Sequence, residues 1–199
     1  MLSIKERESL LVEQFVASFE KLDEMSADES LDPISWRLAE GERNQYGRKT
    51  WRPANTTTDR SKLVPIYARL PARFPPLYER LVLSYRWAEV ELESFRLLAK
   101  PLGPDLNGLF NEMSKDKFLW GALLREGFVR FGKGPDIDYD PVCFDIGARQ
   151  KNGDYRVVKI DHEEILCNNR VKVVSEIAAS FEKLVMLTIE AGECKNAKI

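Results

Sequence analysis

Acidic side chains are concentrated in one short stretch, residues 132–145, with the sequence GKGPDIDYDPVCFD. After Lys133 it contains no basic residue, and its four aspartates are Asp136, Asp138, Asp140 and Asp145. Carboxylates on a loop with little local neutralisation attract basic proteins and repel nucleic acids. We therefore predict a partner-binding surface here, with Tyr139 as its aromatic anchor beside Asp136, Asp138 and Asp140. The alternative is a solvent-exposed hairpin loop without a binding role.

The single histidine, His162, lies in the acidic sequence Asp161-His162-Glu163-Glu164. Neighbouring carboxylates favour the charged imidazole, which could act as a general acid or base. No serine or cysteine occupies a recognisable nucleophile motif. We therefore expect a surface or hydrogen-bonding histidine and no enzymatic activity. An enzyme that uses His162 is the alternative.

The patterns that bind metal ions are incomplete. Asp136, Asp138 and Asp140 alternate as they do at the start of a calcium loop, but the positions that need glycine and glutamate hold Pro141 and Gly147. The three cysteines are 24 and 27 residues apart, which matches no paired zinc-ligand spacing. We predict no metal site and no cofactor. The odd number of scattered cysteines favours a reducing, cytoplasmic location.

The middle of the chain is basic, since residues 37–86 carry eleven basic and four acidic side chains. Aromatic residues and arginines are interleaved in and beside the start of this region, for example Trp36, Arg37, Tyr46 and Trp51. Such a mixture can stack on bases or on a peptide, or can fasten an extension to its own domain. No DNA- or RNA-binding motif accompanies it, so we do not expect nucleic acid as a partner. The partner-binding prediction includes Trp36, Arg37, Trp51 and also Trp87.

The first strong element is an amphipathic helix that begins at a capping box of Ser3 and Glu6. Its apolar stripe predicts packing on the protein's own core, and a docking helix is the alternative. The stripe consists of Leu11, Phe15, Phe19 and Leu22. The acidic and polar residues 23–32 predict a linker. No apolar run approaches the roughly 20 residues of a membrane span, so no membrane association is expected.

Helices and strands then follow without a regular βαβ repeat, which predicts an α+β fold with a largely antiparallel central sheet. Apolar periodicity predicts helices over 74–85 and 117–125 and a last helix from Ser175 to a stop at Gly192. Strands are predicted over 87–93, 128–131, 142–146 and 155–160. The Asn152-Gly153 pair predicts a type I′ turn before the last of these strands.

The order of these motifs resembles the SUKH superfamily, proteins similar to the yeast Smi/Knr cell-wall regulator. The resemblance covers about residues 69–190 and rests on Leu70-Pro71, a helix with Phe74, Tyr78, Leu81 and Tyr85, the hairpin 132–145, the strand and turn 157–162, and a closing helix at Ser180-Phe181 with Leu184. Two features depart from the family pattern. Tyr85-Arg86-Trp87 replaces the usual Asn-Gly, and residues 1–68 extend beyond the usual core.

The resemblance implies a central mixed sheet edged by helices and a non-enzymatic binding function. Bacterial members of the family are known chiefly as immunity proteins that neutralise toxins of neighbouring cells, and yeast-like members act as interaction hubs. The chain would then consist of an extension (1–68) packed on a core (69–190), followed by a tail (191–199). The expected partner is another protein, either a basic toxin or the partner of a regulatory scaffold.

Overall fold

Helices pack on both faces of an antiparallel sheet in the computed structural model, which describes residues 3–27, 37–101, 103 and 105–196. The helices are α1 (Ile4–Leu22), α2 (Val64–Tyr67), α3 (Pro76–Ser84), α4 (Asn107–Met113), α5 (Lys117–Arg125), α6 (His162–Asn168) and α7 (Phe181–Asn196), and a 3-10 helix covers Arg60–Leu63. Within these described residues, no helix combines the length and the apolar composition needed to cross a membrane.

The central sheet has six strands that lie side by side in chain order. They are β6 (Val90–Leu92), β7 (Phe95–Leu97), β8 (Phe128–Lys133), β9 (Pro141–Arg149), β10 (Tyr155–Ile160) and β11 (Val173–Ala178). The predicted α+β fold is therefore confirmed. Each strand is antiparallel to its neighbours, so the parallel component that a mixed sheet implies is not found among the described residues.

Two small sheets involve residues before the central sheet. One contains β1 (Ser26–Ala27), β2 (Ala39–Glu40) and β3 (Lys49–Trp51), and the other contains β4 (Ala54–Asn55) and β5 (Tyr85–Arg86). The predicted linker therefore begins with a short strand, while residues 28–32 lie outside the described part. The strand predicted over 87–93 is shorter than expected, because β6 starts at Val90 and Trp87 only bridges Lys100.

Helix α1 is part of the main core. Ser3 and Glu6 form the predicted capping box, in which the Ser3 amide donates to Glu6 Oε2 at 2.7 Å. Phe15 and Phe19 are buried, and the Phe15 ring contacts that of Phe181 in α7 at 6.3 Å between centroids. The prediction that this helix packs on the protein's own core is confirmed, and its apolar stripe is not left free for docking.

Aromatic side chains fill the space between the sheet and the helices α1, α3 and α7. Tyr78 of α3 makes edge contacts, with centroids 5.1–5.7 Å apart, to Phe74, Phe131, Phe144 and Phe181. Phe131 of β8 and Phe144 of β9 stack on each other at 4.1 Å. Edge and offset contacts of this kind add to the hydrophobic stabilisation of the core.

A second, smaller apolar cluster lies on the opposite face of β9 and β10, because successive residues of a strand point to opposite sides. Cys143 and Val158 belong to it, next to Phe144 and Val157 of the main core. Helices α5 and α6 cover this face and contribute Leu123 and Ile165 to the cluster. The ends of these two helices lie beside the loop that the sequence singled out.

The start and end of the last helix differ from the prediction. Ser175 was predicted to cap the helix, but it lies in the edge strand β11, where it is exposed. Helix α7 begins at Phe181, where the buried Asp154 carboxylate accepts hydrogen bonds from the amides of Phe181 (3.1 Å) and Glu182 (3.0 Å). This distant carboxylate satisfies amide groups that the first helical turn leaves unpaired.

Gly192 lies inside α7 and does not end it. A side chain at this position would approach Ser18 of α1 to 3.1 Å, so the glycine permits close packing of the two helices. The turn after β9 also differs from the type I′ prediction. Only Gly153 has a positive φ (+84°), and its amide donates to the Gln150 carbonyl at 3.0 Å, as in a type I turn followed by a left-handed residue.

A buried lysine satisfies the C-terminal end of α3. Lys100 is 2 % exposed, and its ammonium group donates hydrogen bonds to the carbonyl oxygens of Val82 and Tyr85. These are carbonyls that the end of a helix leaves unpaired. Burial, followed by repulsion from Arg86, lowers the pKa of Lys100 to about 7.

The buried lysine predicts a pH-dependent stability. The unfolded chain keeps a lysine protonated to about pH 10.4, whereas the folded chain releases this proton near pH 7, so unfolding takes up a proton between these values. The free energy of unfolding should therefore rise with pH from about 7 to about 9, by at most about 1.4 kcal/mol per unit. Chemical denaturation measures this slope. We expect Lys100→Met to flatten it and the exposed control Lys151→Met to retain it; an unchanged slope in Lys100→Met would contradict the assignment.

Candidate functional site

Residues 134–140, here called the acidic loop, connect β8 to β9. Three hydrogen bonds close the loop on itself. The Gly134 amide donates to the Asp140 carbonyl (2.9 Å), the Asp138 amide to the Pro135 carbonyl (2.9 Å), and the Asp140 amide to Asp138 Oδ1 (2.9 Å). The backbone of the loop is therefore constrained before any contact with the rest of the protein is counted.

Two residues that follow much later in the chain fasten the loop to the domain. Lys159 Nζ lies 3.0 Å from Asp138 Oδ2 and 3.9 Å from Asp140 Oδ2. His162 donates its backbone amide to Asp140 Oδ1 at 2.9 Å, and its Nδ1 lies 2.7 Å from the same oxygen. Burial opposes the charge of Asp138, but the Asp140 amide and the Lys159 ammonium group outweigh it and lower the pKa of Asp138.

The prediction of a loop with little neutralisation is therefore wrong in part. Asp138 and Asp140 share Lys159, and Asp145 forms an ion pair with Arg156 and lies in β9, outside the loop. Asp136 is exposed, and no side-chain ion pair of this residue is found in the described part of the chain. Its backbone has φ of +51°, and its amide donates to Glu91 Oε2 at 3.4 Å.

The loop presents two large side chains to solvent. Ile137 is 86 % exposed and Tyr139 is 63 % exposed. The Tyr139 ring stands over the His162 ring, with centroids 6.3 Å apart and an interplanar angle of 70°. An exposed aliphatic and an exposed aromatic residue on a constrained loop form a typical contact surface for another macromolecule.

A pocket of about 330 Å³ lies behind Tyr139. Its walls come from the start of α5, from β8, from the acidic loop and from α6; the lining residues are Asp116, Leu119, Arg130, Tyr139, His162 and Leu166. The pocket thus combines apolar walls with a guanidinium group and an imidazole that is paired to a carboxylate. Such a combination can bind a small polar group or position an acid–base pair.

The other predicted partner-binding residues lie elsewhere. Trp51 is 2 % exposed in β3, and Trp87 is fully buried with its indole nitrogen donating to the Leu98 carbonyl at 2.9 Å. Neither ring therefore offers surface to a partner. Arg37 is exposed, and Trp36 lies outside the described residues. Within the described part of the chain, no hydrogen bond, ion pair or ring contact joins Arg37, Trp51 or Trp87 to the acidic loop.

The residues that sequence reasoning missed are those that complete the site from other elements. Ile137 could have been noticed as an apolar residue between acids. Lys159 stands between the buried residues Val158 and Ile160, so strand alternation places it on the other face of β10. Arg130 alternates in the same way between Val129 and Phe131. The sequence shows that Lys159 and Arg130 alternate with buried residues, but it does not show that both side chains lie beside the acidic loop.

No group of three or more histidine, cysteine, aspartate or glutamate side chains in the described residues is arranged to bind a metal ion. Comparisons of the chain with protein-family models, with curated proteins and with solved structures found no match. The resemblance to the SUKH superfamily therefore stays a prediction.

The packing of the acidic loop requires a glycine at position 134. A methyl group at this position would overlap the carboxyl group of Asp138, so the loop would have to move away from Lys159. We expect Gly134→Ala to reduce the free energy of unfolding by about 1–3 kcal/mol, as overpacking does elsewhere. Chemical denaturation provides the measurement.

The same substitution at Gly121 serves as the control. This residue is exposed within α5, and no atom lies within 4 Å of an added methyl group, so Gly121→Ala should stabilise the helix by about 0.5–1 kcal/mol. A Gly134→Ala protein as stable as the wild type would show that the described loop packing is not maintained in solution.

Proposed function

We propose that this chain is a non-enzymatic protein-binding domain, most specifically an immunity-type inhibitor that binds and neutralises a toxin. One observation carries the binding proposal: Ile137 and Tyr139 are exposed on a loop that Lys159 and His162 hold in place. The immunity role rests on the resemblance of residues 69–190 to the SUKH superfamily. The two parts of the proposal can therefore fail separately.

A constrained loop is well suited to binding because little conformational entropy is lost when the partner docks. Tyrosine is enriched among the residues that dominate binding energy, since its ring buries a large area and its hydroxyl can form a hydrogen bond. Ile137 adds apolar area two residues away. We therefore assign the central contact to Tyr139, with Ile137 beside it.

The charge of the loop favours a basic partner. The loop carries three carboxylates (Asp136, Asp138 and Asp140), and the single ammonium group of Lys159 pairs with the last two, so the loop keeps a negative charge. Complementary charge accelerates association and disfavours wrong partners. The same charge repels nucleic acid at this surface. Free cysteines at 143, 167 and 194 are compatible with the cytoplasmic location that we propose.

A second candidate function is suggested by the pair of Asp140 and His162. A carboxylate that bonds the imidazole Nδ1 orients the ring, as in acid–base catalysis. The ring also lines the pocket together with Tyr139 and Arg130. This arrangement supports an uncharacterised enzyme that uses His162, and the stoichiometry of neutralisation separates it from an inhibitor.

The first test uses the products of neighbouring reading frames. Each product is expressed with this chain, cell survival is measured, and affinity is determined by calorimetry for any toxic product that is neutralised. We expect Tyr139→Ala to weaken binding by about tenfold or more, as loss of a central tyrosine does at other interfaces. Tyr46→Ala is the matched control, because Tyr46 is also exposed (75 %) but lies outside the acidic loop, between Arg43 and Arg48.

The outcomes distinguish the hypotheses. Loss of binding in Tyr46→Ala but not in Tyr139→Ala would favour a regulatory scaffold that uses Arg37 and its neighbours. Absence of any neutralised toxin would remove the immunity role. Deletion of residues 1–68 is unsuitable as a test, because it would remove Phe15 and Phe19 from the core.

Stoichiometry tests the second candidate. An inhibitor should neutralise one equivalent of toxin per chain and leave the mass of the toxin unchanged, since it acts only by occupying a surface. An enzyme should neutralise many equivalents and change that mass, and His162→Ala should abolish the change. Titration followed by mass spectrometry measures both quantities. Substoichiometric neutralisation would contradict the binding proposal.

A further inference from the structure

Arg130 lies at the base of the pocket behind Tyr139. It belongs to β8 between Val129 and Phe131, whose side chains enter the main core, so its own side chain lies on the face covered by α5 and α6. The residue is half-buried, and its Nε donates to the Gly132 carbonyl at 3.3 Å. Within the described residues, no acidic side chain forms an ion pair with its guanidinium group.

Other partly buried cations of this sheet have acidic partners. Arg96 pairs with Glu89 and Glu91, Lys133 with Glu89, Arg156 with Asp145, and Lys159 with Asp138. A cation that is removed from water without a partner is unfavourable, and an anion that reaches it is correspondingly stabilised. Burial lowers the pKa of Arg130, against the smaller opposing effects of Cys143, Glu89, Asp116 and Glu112.

The polar neighbours of Arg130 in the pocket are already engaged. Asp116 is the N-cap of α5, where its Oδ1 accepts from the Leu119 amide at 2.9 Å. His162 is bonded to Asp140. The remaining walls are apolar and consist of Leu119, Leu166 and the ring of Tyr139. The pocket thus offers one unpaired guanidinium group among apolar surfaces.

We propose that this pocket binds a carboxylate that is attached to an apolar group. The carboxylate forms a two-pronged hydrogen bond with Arg130, and the apolar group packs on Leu119 and Leu166. The guanidinium fork can bind a carboxylate or a phosphate through two hydrogen bonds, and a carboxylate fits better because it brings a single negative charge near Asp116 and Asp140. The pocket contains no second unpaired cation that would neutralise a phosphate dianion.

Two sources supply this chemistry. One is a small aliphatic or aromatic acid, and the other is the C-terminal residue of a peptide, whose free carboxylate and apolar side chain have the same arrangement. The volume of about 330 Å³ accommodates either group. The site does not depend on the proposed toxin partner, and its test needs no macromolecule other than this chain.

The test is a titration of the isotope-labelled chain followed by NMR, with 3-phenylpropionate and a short peptide ending in leucine as probes. The neutral amides of both compounds are the matched ligands. We expect any acid that binds to have an affinity at least about tenfold higher than that of its amide, because the amide cannot form the charge-assisted bond to the guanidinium group. Shifted resonances should include those of Arg130, Leu119 and Leu166.

Two variants identify the contact. Arg130→Gln should remove the preference for the acid, whereas Arg149→Gln, a change at an exposed arginine on the adjacent strand, should keep it. Leu166 is half-exposed on α6, and Leu166→Trp should narrow the pocket and weaken the binding of both acid and amide. This variant provides a test even if Arg130→Gln does not fold.

The relative affinities of the two acids identify the source of the carboxylate. Tighter binding of the peptide acid indicates recognition of a chain terminus, and tighter binding of 3-phenylpropionate indicates a small molecule. Equal affinity for acids and amides, retention of the preference in Arg130→Gln, or no shift at saturating probe overturns the proposal. These results leave the Tyr139 interface test unaffected, because that test measures affinity for a protein.

Discussion

The contacts of the acidic loop with Lys159 and His162 determine what this protein can present to a partner. The loop's own hydrogen bonds constrain its backbone, and the contacts with Lys159 and His162 fix its orientation on the domain. With them, Asp138 and Asp140 face β10 and α6, and the apolar residues Ile137 and Tyr139 are left outside. The charged residues of the loop thus act largely as anchors, and the apolar ones provide the contact surface.

The position of Lys159 depends in turn on the main sheet. It pairs with Val142 across β9 and β10, next to two buried residues that fix the alternation of the strand. The aromatic contacts of Tyr78 with Phe131 and Phe144 hold β8 and β9 against α3 and α7. A site built on such packed strands is better defined than one built on loops alone. The pocket at Arg130 is built on the same strands, on the face of the sheet opposite the aromatic core.

Features that depend on nearby residues could be predicted from the sequence. The capping box of α1, the burial of its stripe and the antiparallel strands follow from periodicity and local hydrogen bonding. Features that depend on distant residues could not. The start of α7 is set by Asp154, which lies 27 residues before Phe181, and Asp138 is paired with Lys159, 21 residues later in the chain.

The burial of the tryptophans also depends on distant residues. The binding prediction includes Trp51 and Trp87, yet both rings are buried. For Trp51, burial agrees with the alternative that the aromatic residues and arginines fasten an extension to its own domain. Burial is decided by the elements that pack above a residue and not by its sequence neighbours. The acidic loop was located correctly, but its charges proved to be anchored and its exposed apolar residue Ile137 was overlooked.

The central claim is that the acidic loop is held rigid before a partner binds. Nitrogen-15 relaxation of the backbone amides of residues 136–139 in the free protein tests this claim most directly, with β9 as an internal reference. A loop held in this way should have order parameters near those of rigid backbone, about 0.85, and lower values in Lys159→Met. Values below about 0.6 in the wild-type loop would contradict it.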